Sequence, residues 1–223
     1  MSGYFVTGTD TNVGKTYVAS ALARRAVFQG HKVFAFKPIE SGCIEGADGR
    51  LIGADQEALA VAAGDWQQGP LRGVYRFPLA AAPLVAAEAV GQSIEFGLID
   101  RTIQQAMAVT RPSMLLVEAA GGWRVPLTPS DDTASLARLV ALPVLVVARA
   151  GLGTINHTLL TLEAILHDGL AVAAVIMSRR PDDDLAAAQR NRLEINRRWP
   201  GPVHILADNN AALDRLIDDP APR

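Results

Sequence analysis

The sequence contains a single cysteine, Cys43, which excludes an internal disulfide and any multi-cysteine metal site. Cys43 reads as a small loop residue. Aromatic side chains make up only 5% of a chain that is 49% hydrophobic. That balance disfavours an aromatic-rich β-sandwich and suits parallel strands of Val, Ile and Leu covered by helices. An excess of positive charge is also missing: 21 Lys and Arg stand against 23 Asp and Glu, a formal net charge of −2. Holding nucleic acid requires many neutralised phosphates, so nucleic acid is not expected as the main partner. The one dense basic stretch, Arg190 to Arg198, is offset by Asp182, Asp183, Asp184 and Glu194 and reads as a solvated helix face. Long apolar runs are absent. Those such as 142–148 are strand-length, far short of the roughly 20 residues that span a bilayer. The opening Met1-Ser2-Gly3-Tyr4-Phe5 has no basic segment followed by an apolar one, so no secretory signal, no membrane association and a cytoplasmic location are expected.

What the chain does have is alternation. Short apolar runs at 4–7, 33–36, 114–118, 144–148, 172–177 and 203–206 are mostly continuous, as strands buried on both faces should be. Helix-length segments lie between them at 14–30, 55–63, 83–90, 95–109, 132–140, 155–168, 184–198 and 210–217. This order predicts an α/β fold: a doubly wound, mostly parallel sheet with helices on both faces and right-handed crossovers, of the P-loop NTPase type. One domain is expected over 1–223, with a Gly-rich loop at 42–53 and a frayed tail at 218–223. In such sheets the active site lies at the carboxyl ends of the strands.

The residues just after the predicted strands carry the chemistry. Tyr4-Phe5-Val6-Thr7 runs into Gly8-Thr9-Asp10-Thr11-Asn12-Val13-Gly14-Lys15-Thr16 and then into a helix. Strand, glycine-flanked loop, Gly-Lys-Thr and helix is the context of a phosphate loop. The backbone amides of Thr9 to Thr16 would cradle an anion, Lys15 would meet the β- and γ-phosphates, and the Thr16 hydroxyl would ligate Mg²⁺. Five residues separate Gly8 from Gly14, where the usual motif has four.

Three further clusters follow strands. Lys37, in Lys37-Pro38-Ile39-Glu40-Ser41-Gly42, is placed to neutralise charge on a transferring group. Asp55 opens a helix, where a helix cap and a metal ligand are both open readings. Glu118 closes a buried strand ahead of Ala119-Ala120-Gly121-Gly122-Trp123; a carboxylate there is costly to desolvate unless it meets a cation, which in P-loop proteins is Mg²⁺, and a simple turn is the other open reading.

Taken together, the stretches 6–16, 37–42, Asp55, 117–123 and 151–165 resemble the dethiobiotin synthetases, ATP-dependent carboxylases near the end of biotin synthesis, which share the five-residue loop spacing. The resemblance implies a homodimer that converts 7,8-diaminononanoate, CO₂ and MgATP into dethiobiotin, ADP and phosphate. A carbamate forms, ATP phosphorylates it, and the neighbouring amine closes the ureido ring. Carried over by motif, Lys15 and Lys37 bracket the transferred phosphoryl group. Thr16, Asp55 and Glu118 hold Mg²⁺, and Thr11, Lys37, Ser41 and Gly121 meet the reacting end of the substrate. Gly153, Thr154 and Asn156 capture the far carboxylate across the dimer interface, with Asn191 contributed by the partner.

The chain also departs from the family pattern. Ala119 stands where a glycine is common. Ser178, within Met177-Ser178-Arg179-Arg180-Pro181, replaces an Asn that reads adenine, and the closing segment around Ala207 lacks a Pro-containing loop. Base contacts would fall to Ser178, Arg179 and Ala207, and ATP would be only weakly preferred over other triphosphates. The competing reading is a P-loop switch ATPase of the partition or septum-positioning type. Such proteins usually carry an early second lysine in the loop, where this chain has Thr9 and Asp10.

Overall fold

A computed structural model describes residues 2–180, 182–206 and 211–218. Its central sheet has six strands: β1 (Ser2–Gly8), β2 (Val33–Phe36), β7 (Met114–Gly122), β8 (Val144–Arg149), β9 (Val172–Ser178) and β10 (Val203–Leu206), in the order β10-β9-β8-β1-β7-β2. Every pairing is parallel. The expected doubly wound α/β sheet is therefore observed, with its six strands at the predicted places.

Side chains one apart on each strand feed opposite cores, which is why the strand segments read as unbroken apolar runs. Tyr4 and Val6 join Leu116 and Val147 on the face covered by α1 (Lys15–Phe28), α2 (Ala54–Ala62) and α8 (Ala211–Asp218). Phe5 joins Val117 and Val146 on the other, covered by α4 (Phe96–Thr110), α5 (Thr133–Val140), α6 (Thr154–His167) and α7 (Leu185–Arg198). The remaining helix, α3 (Pro83–Glu88), starts on proline, whose fixed φ suits a first helical turn.

The Gly-rich loop of 42–53 proves to hold a small antiparallel ribbon, β4 (Ile44–Glu45) with β5 (Leu51–Ile52). Gly49 turns it at φ 76, a conformation that costs glycine little. Two-residue strands are too short to show any alternation, so sequence periodicity misses them. It also misses a parallel pair, β3 (Ile39–Ser41) with β6 (Tyr75–Phe77). Asp218, expected in a frayed tail, ends α8, and 219–223 lie outside the described residues.

Because the strands are all parallel, their carboxyl ends lie along one edge of the sheet. Register then sets the neighbours: Phe36 pairs with Val117, so Lys37 follows beside Glu118. Between β1 and β7 the register slips after Val6↔Glu118 to Gly8↔Gly122, so two steps on β1 answer to four on β7. Such a bulge breaks the ladder locally, and Ala120 and Gly121 border the cleft while Ala119 stays in the core. The loop beyond is anchored from below. Asp168 accepts from Trp123 Nε1 (2.7 Å) and pairs with Arg124 (2.9 Å) and Arg138 (3.0 Å).

Candidate active site

A cleft of about 1020 Å³ opens at this edge, bordered by Thr11, Lys15, Thr16, Lys37, Asp55 and Glu118 among others. The phosphate loop forms its floor. Gly14 has φ +96, and a side chain there would place Cβ 2.4 Å from Ser178 Oγ. At Gly8 a Cβ would come within 2.7 Å of the Asp10 carbonyl and 3.0 Å of Lys15 Nζ. Both glycines are thus required by close approach, and at Gly14 by backbone conformation as well. Lys15 is only 6% exposed and donates to the Asp10 carbonyl at 3.0 Å. Burial lowers its pKa to about 8, against the pull of Glu118. Not every loop amide is free for a ligand: Thr9 N–H bonds to the Val147 carbonyl (2.9 Å), and Thr11 N–H to Asp10 Oδ1 (2.7 Å).

Above the loop sits a cation-centred cluster. The Lys37 ammonium pairs with Asp55 and, at 2.9 Å, with Glu118 Oε1, which also accepts from Thr16 Oγ1 at 2.9 Å. Burial alone would strip the charge from Lys37, but Glu118 and Asp55 outweigh it and raise its pKa above the ordinary value. Burial likewise opposes ionisation of Asp55, yet Lys37 holds that carboxyl below its usual range. Glu118 is 1% exposed, and its second oxygen, Oε2, is buried without a protein partner.

Of the two readings of Asp55, the helix cap is not observed. The residue lies inside the first turn of α2, and its carboxylate caps nothing. The cap comes instead from Glu40, whose Oε1 accepts from Asp55 N–H (2.8 Å) and Oε2 from Gln56 N–H (3.0 Å). The Asp55 side chain is left free to face the cleft. Burial pushes the Glu40 carboxyl upward against these two amide donors.

Ser41 and Gly121 also border the cleft; the Ser41 hydroxyl donates to the Ala81 carbonyl (2.7 Å), and Gly121 stands at φ +63. The other expected substrate residues lie apart from it. Gly153 caps α6 in the left-handed region, Asn156 is exposed, and the Thr154 hydroxyl faces Thr158 (3.4 Å). Asn191 donates to the Ala150 carbonyl (3.1 Å), tying α7 to the loop after β8. A second cleft of about 700 Å³ adjoins the first, bordered by Asn12, Tyr17, Arg149, Leu152, Ser178 and Arg179. Ala207 lies outside the described residues.

A family model described as an AAA domain matches residues 2–210. The ATP-dependent dethiobiotin synthetase BioD of Anaeromyxobacter dehalogenans is 42% identical to this chain, over 88% of it and 85% of the relative. That of Pseudomonas paraeruginosa is 39% identical over 95% of this chain and 93% of its own. The chain belongs to the dethiobiotin synthetase family.

Solved structures extend the likeness in fold alone. The signal recognition particle receptor FtsY of Elizabethkingia anophelis superposes with a TM-score of 0.54 at 14% identity, over 95% of this chain and 61% of that one. The cell division protein ftsY of Thermotoga maritima gives 0.50 at 15%, over 93% and 62%. This chain spans about three fifths of each. Membership of the synthetase family decides against the switch-ATPase reading.

Within this family the departure at Ser178 has a local consequence. Its side chain packs directly over Gly14, so the end of β9 and the phosphate loop touch. Sequence reasoning missed the roles of Glu40, Gln56 and Gly53, because the short strand that carries Glu40 has no periodicity of its own. No pattern signalled Tyr17 and Arg180, which border both clefts.

Proposed function

We propose that this chain is an ATP-dependent dethiobiotin synthetase, a ligase of biotin biosynthesis that acts as one unit in the cytoplasm. The observation that carries the reading is the meeting of Lys15, Thr16, Lys37, Asp55 and Glu118, from four separate segments, around one cleft. The substrate amine attacks CO₂, loses a proton and becomes a carbamate. A carbamate oxygen attacks the γ-phosphorus as the bond to ADP breaks, and the second amine then attacks the carbonyl carbon and expels phosphate.

The residues fit a magnesium ion. Two carboxylates and a hydroxyl supply hard oxygen donors, and the unpartnered Glu118 Oε2 supports a cation there. Among the described residues no group of three or more His, Cys, Asp or Glu could hold a metal, so phosphate and water oxygens would be needed beside Thr16, Asp55 and Glu118. Mg²⁺ would neutralise the β- and γ-phosphates. Lys37, kept protonated by its carboxylates, is an electrostatic stabiliser and not a base. Lys15 presents charge to the phosphates, and Thr11, Ser41 and Gly121 hold the carbamate end. Turnover with diaminononanoate, bicarbonate and MgATP should release dethiobiotin and phosphate together. Phosphate release that ignores diaminononanoate would overturn the proposal.

The second cleft takes the nucleoside, with Ser178 and Arg179 at the base. A serine lacks the paired donor and acceptor of an amide, so discrimination between bases should be small. Values of kcat/KM for ATP, GTP, CTP and UTP are expected within a narrow range. A preference for ATP beyond about a hundredfold, roughly 2.7 kcal/mol, would show that other groups read adenine.

The active unit is a two-fold dimer in which Gly153, Thr154 and Asn156 of one copy, with Asn191, receive the carboxylate of substrate held by the other. Leu152, fully exposed beside this segment, and the exposed Leu160 support a covered apolar face there. Light scattering should report a dimer at working concentration; full activity from a monomer would overturn it. Among the described residues no helix is long and apolar enough to cross a membrane.

A further inference from the structure

The link between the Lys37 segment and α2 is built from two buried side chains, Glu40 and Gln56, of which Glu40 borders the cleft. Glu40, on β3, receives the first free amides of α2 at Asp55 and Gln56. Gln56 answers in the opposite direction: its Oε1 accepts from Lys37 N–H at 2.6 Å, and its Nε2 reaches the Ala35 carbonyl at 3.4 Å. Lys37 and Asp55, whose charged ends meet in the cleft, are therefore each held by the backbone through one arm of the same closed loop. Gly53 makes room for it. Its φ of −92 is open to any residue, but an added Cβ would lie 2.3 Å from Glu40 Oε2.

A helix cap alone asks for less. An Asp or Ser at the position of Gly53 would satisfy the same amides locally, as most helix starts do. Here the acceptor comes from fifteen residues away on the neighbouring segment, so satisfying the helix also sets its distance from Lys37. The Asp55 side chain is 43% exposed, pairs with Lys37 and hydrogen-bonds with Thr16, so its reach to both depends on the placement of its backbone.

We propose that Glu40 and Gln56 form a clasp that positions the Asp55 carboxylate, so that Glu40 controls the affinity of the site for its divalent cation without touching it. The proposal rests on reading Asp55 as a metal carboxylate. Groups that orient metal ligands from behind commonly change affinity by about 10–100-fold when removed.

The test compares wild type with Glu40→Ala, Glu40→Gln and Gly53→Ala. The first removes both acceptors. The second keeps one, and the third leaves every side-chain acceptor present while pushing the Glu40 carboxylate aside. Mn²⁺ binding to the enzyme–ADP complex, read by electron paramagnetic resonance, reports affinity without turnover. Glu40→Ala and Gly53→Ala should each weaken it by about tenfold, with Glu40→Gln between them and wild type. The Mg²⁺ concentration for half-maximal dethiobiotin formation should rise in parallel, and by more than any change in KM for diaminononanoate. Glu40 as a mere helix cap would lower the melting temperature and leave Mn²⁺ affinity unchanged, and that result in either Glu40→Ala or Gly53→Ala overturns the clasp. Failure of the wild-type chain to form dethiobiotin would instead overturn the proposed reaction, and Mn²⁺ affinities would still decide the clasp.

Discussion

Lys15→Met is expected to eliminate dethiobiotin formation without lowering the melting temperature. The ammonium of Lys15 is buried, bonded to a backbone carbonyl and not to a carboxylate, and its pKa sits near 8. Its charge is thus poorly compensated until a triphosphate arrives. Contacts to charge that develops during transfer are lost with it, so kcat/KM should fall by about 10³ or more, roughly 4 kcal/mol. Stability should move the other way. Between pH of about 8 and 10.5 the unfolded chain keeps a proton that folded Lys15 has released. Wild-type stability therefore rises with pH across that window on account of Lys15, and this contribution should vanish in the methionine variant. Paired melting curves from pH 7 to about 10.5 check it, within the lysine range. A variant that melts well below wild type at neutral pH would show that Lys15 is structural.

Lys37→Met should behave differently, losing turnover and stability together. Lys37 is the only described side chain paired with Glu118 in an ion pair, and Glu118 is almost fully buried. Removing the cation leaves an uncompensated buried carboxylate, a change that costs about 3–5 kcal/mol in comparable pairs. The folded-state pKa of Lys37 is raised, so its contribution is complete below 10.5 and is lost only as pH rises through the higher folded value. That of Asp55 is lowered, so its contribution is complete above 3.8 and is lost as pH falls through the lower folded value. Across the window between them the stability gap between variant and wild type should stay level, and it should narrow in acid. Mg²⁺ should restore part of the melting temperature of the variant, because two carboxylates without an internal cation attract a divalent one. It should not restore turnover. Equal melting temperatures for variant and wild type in chelator would overturn the compensating role.

The two lysines divide the electrostatic work of one cleft. The charge of Lys15 is disfavoured by burial, whereas that of Lys37 is favoured by its two carboxylates. The ammonium of Lys37 thus pairs with both acidic groups and keeps its charge at the cleft.

The order of elements was legible because each of the six long strands is buried on both faces, which writes a continuous apolar run into the sequence. The phosphate loop was legible because its chemistry is contiguous: glycines, lysine and threonine act within nine residues of one another. Lys37, Asp55 and Glu118 could be nominated one by one from their places after strands or at a helix start. Their meeting could not, since it depends on the register of β2 against β7 and on where α2 begins. The role of Asp55 shows the difference best. Sequence offered both a helix cap and a ligand at that position, and the choice fell to Glu40, a residue fifteen positions away that supplies the cap instead. The ribbon of 44–52 and the β3–β6 pair were likewise decided by tertiary contacts, because strands of two or three residues carry no periodicity of their own. Composition and local pattern determine which elements form, since those depend on burial along the chain. Which polar groups face one another depends on pairings between distant segments, and only the folded sheet decides them.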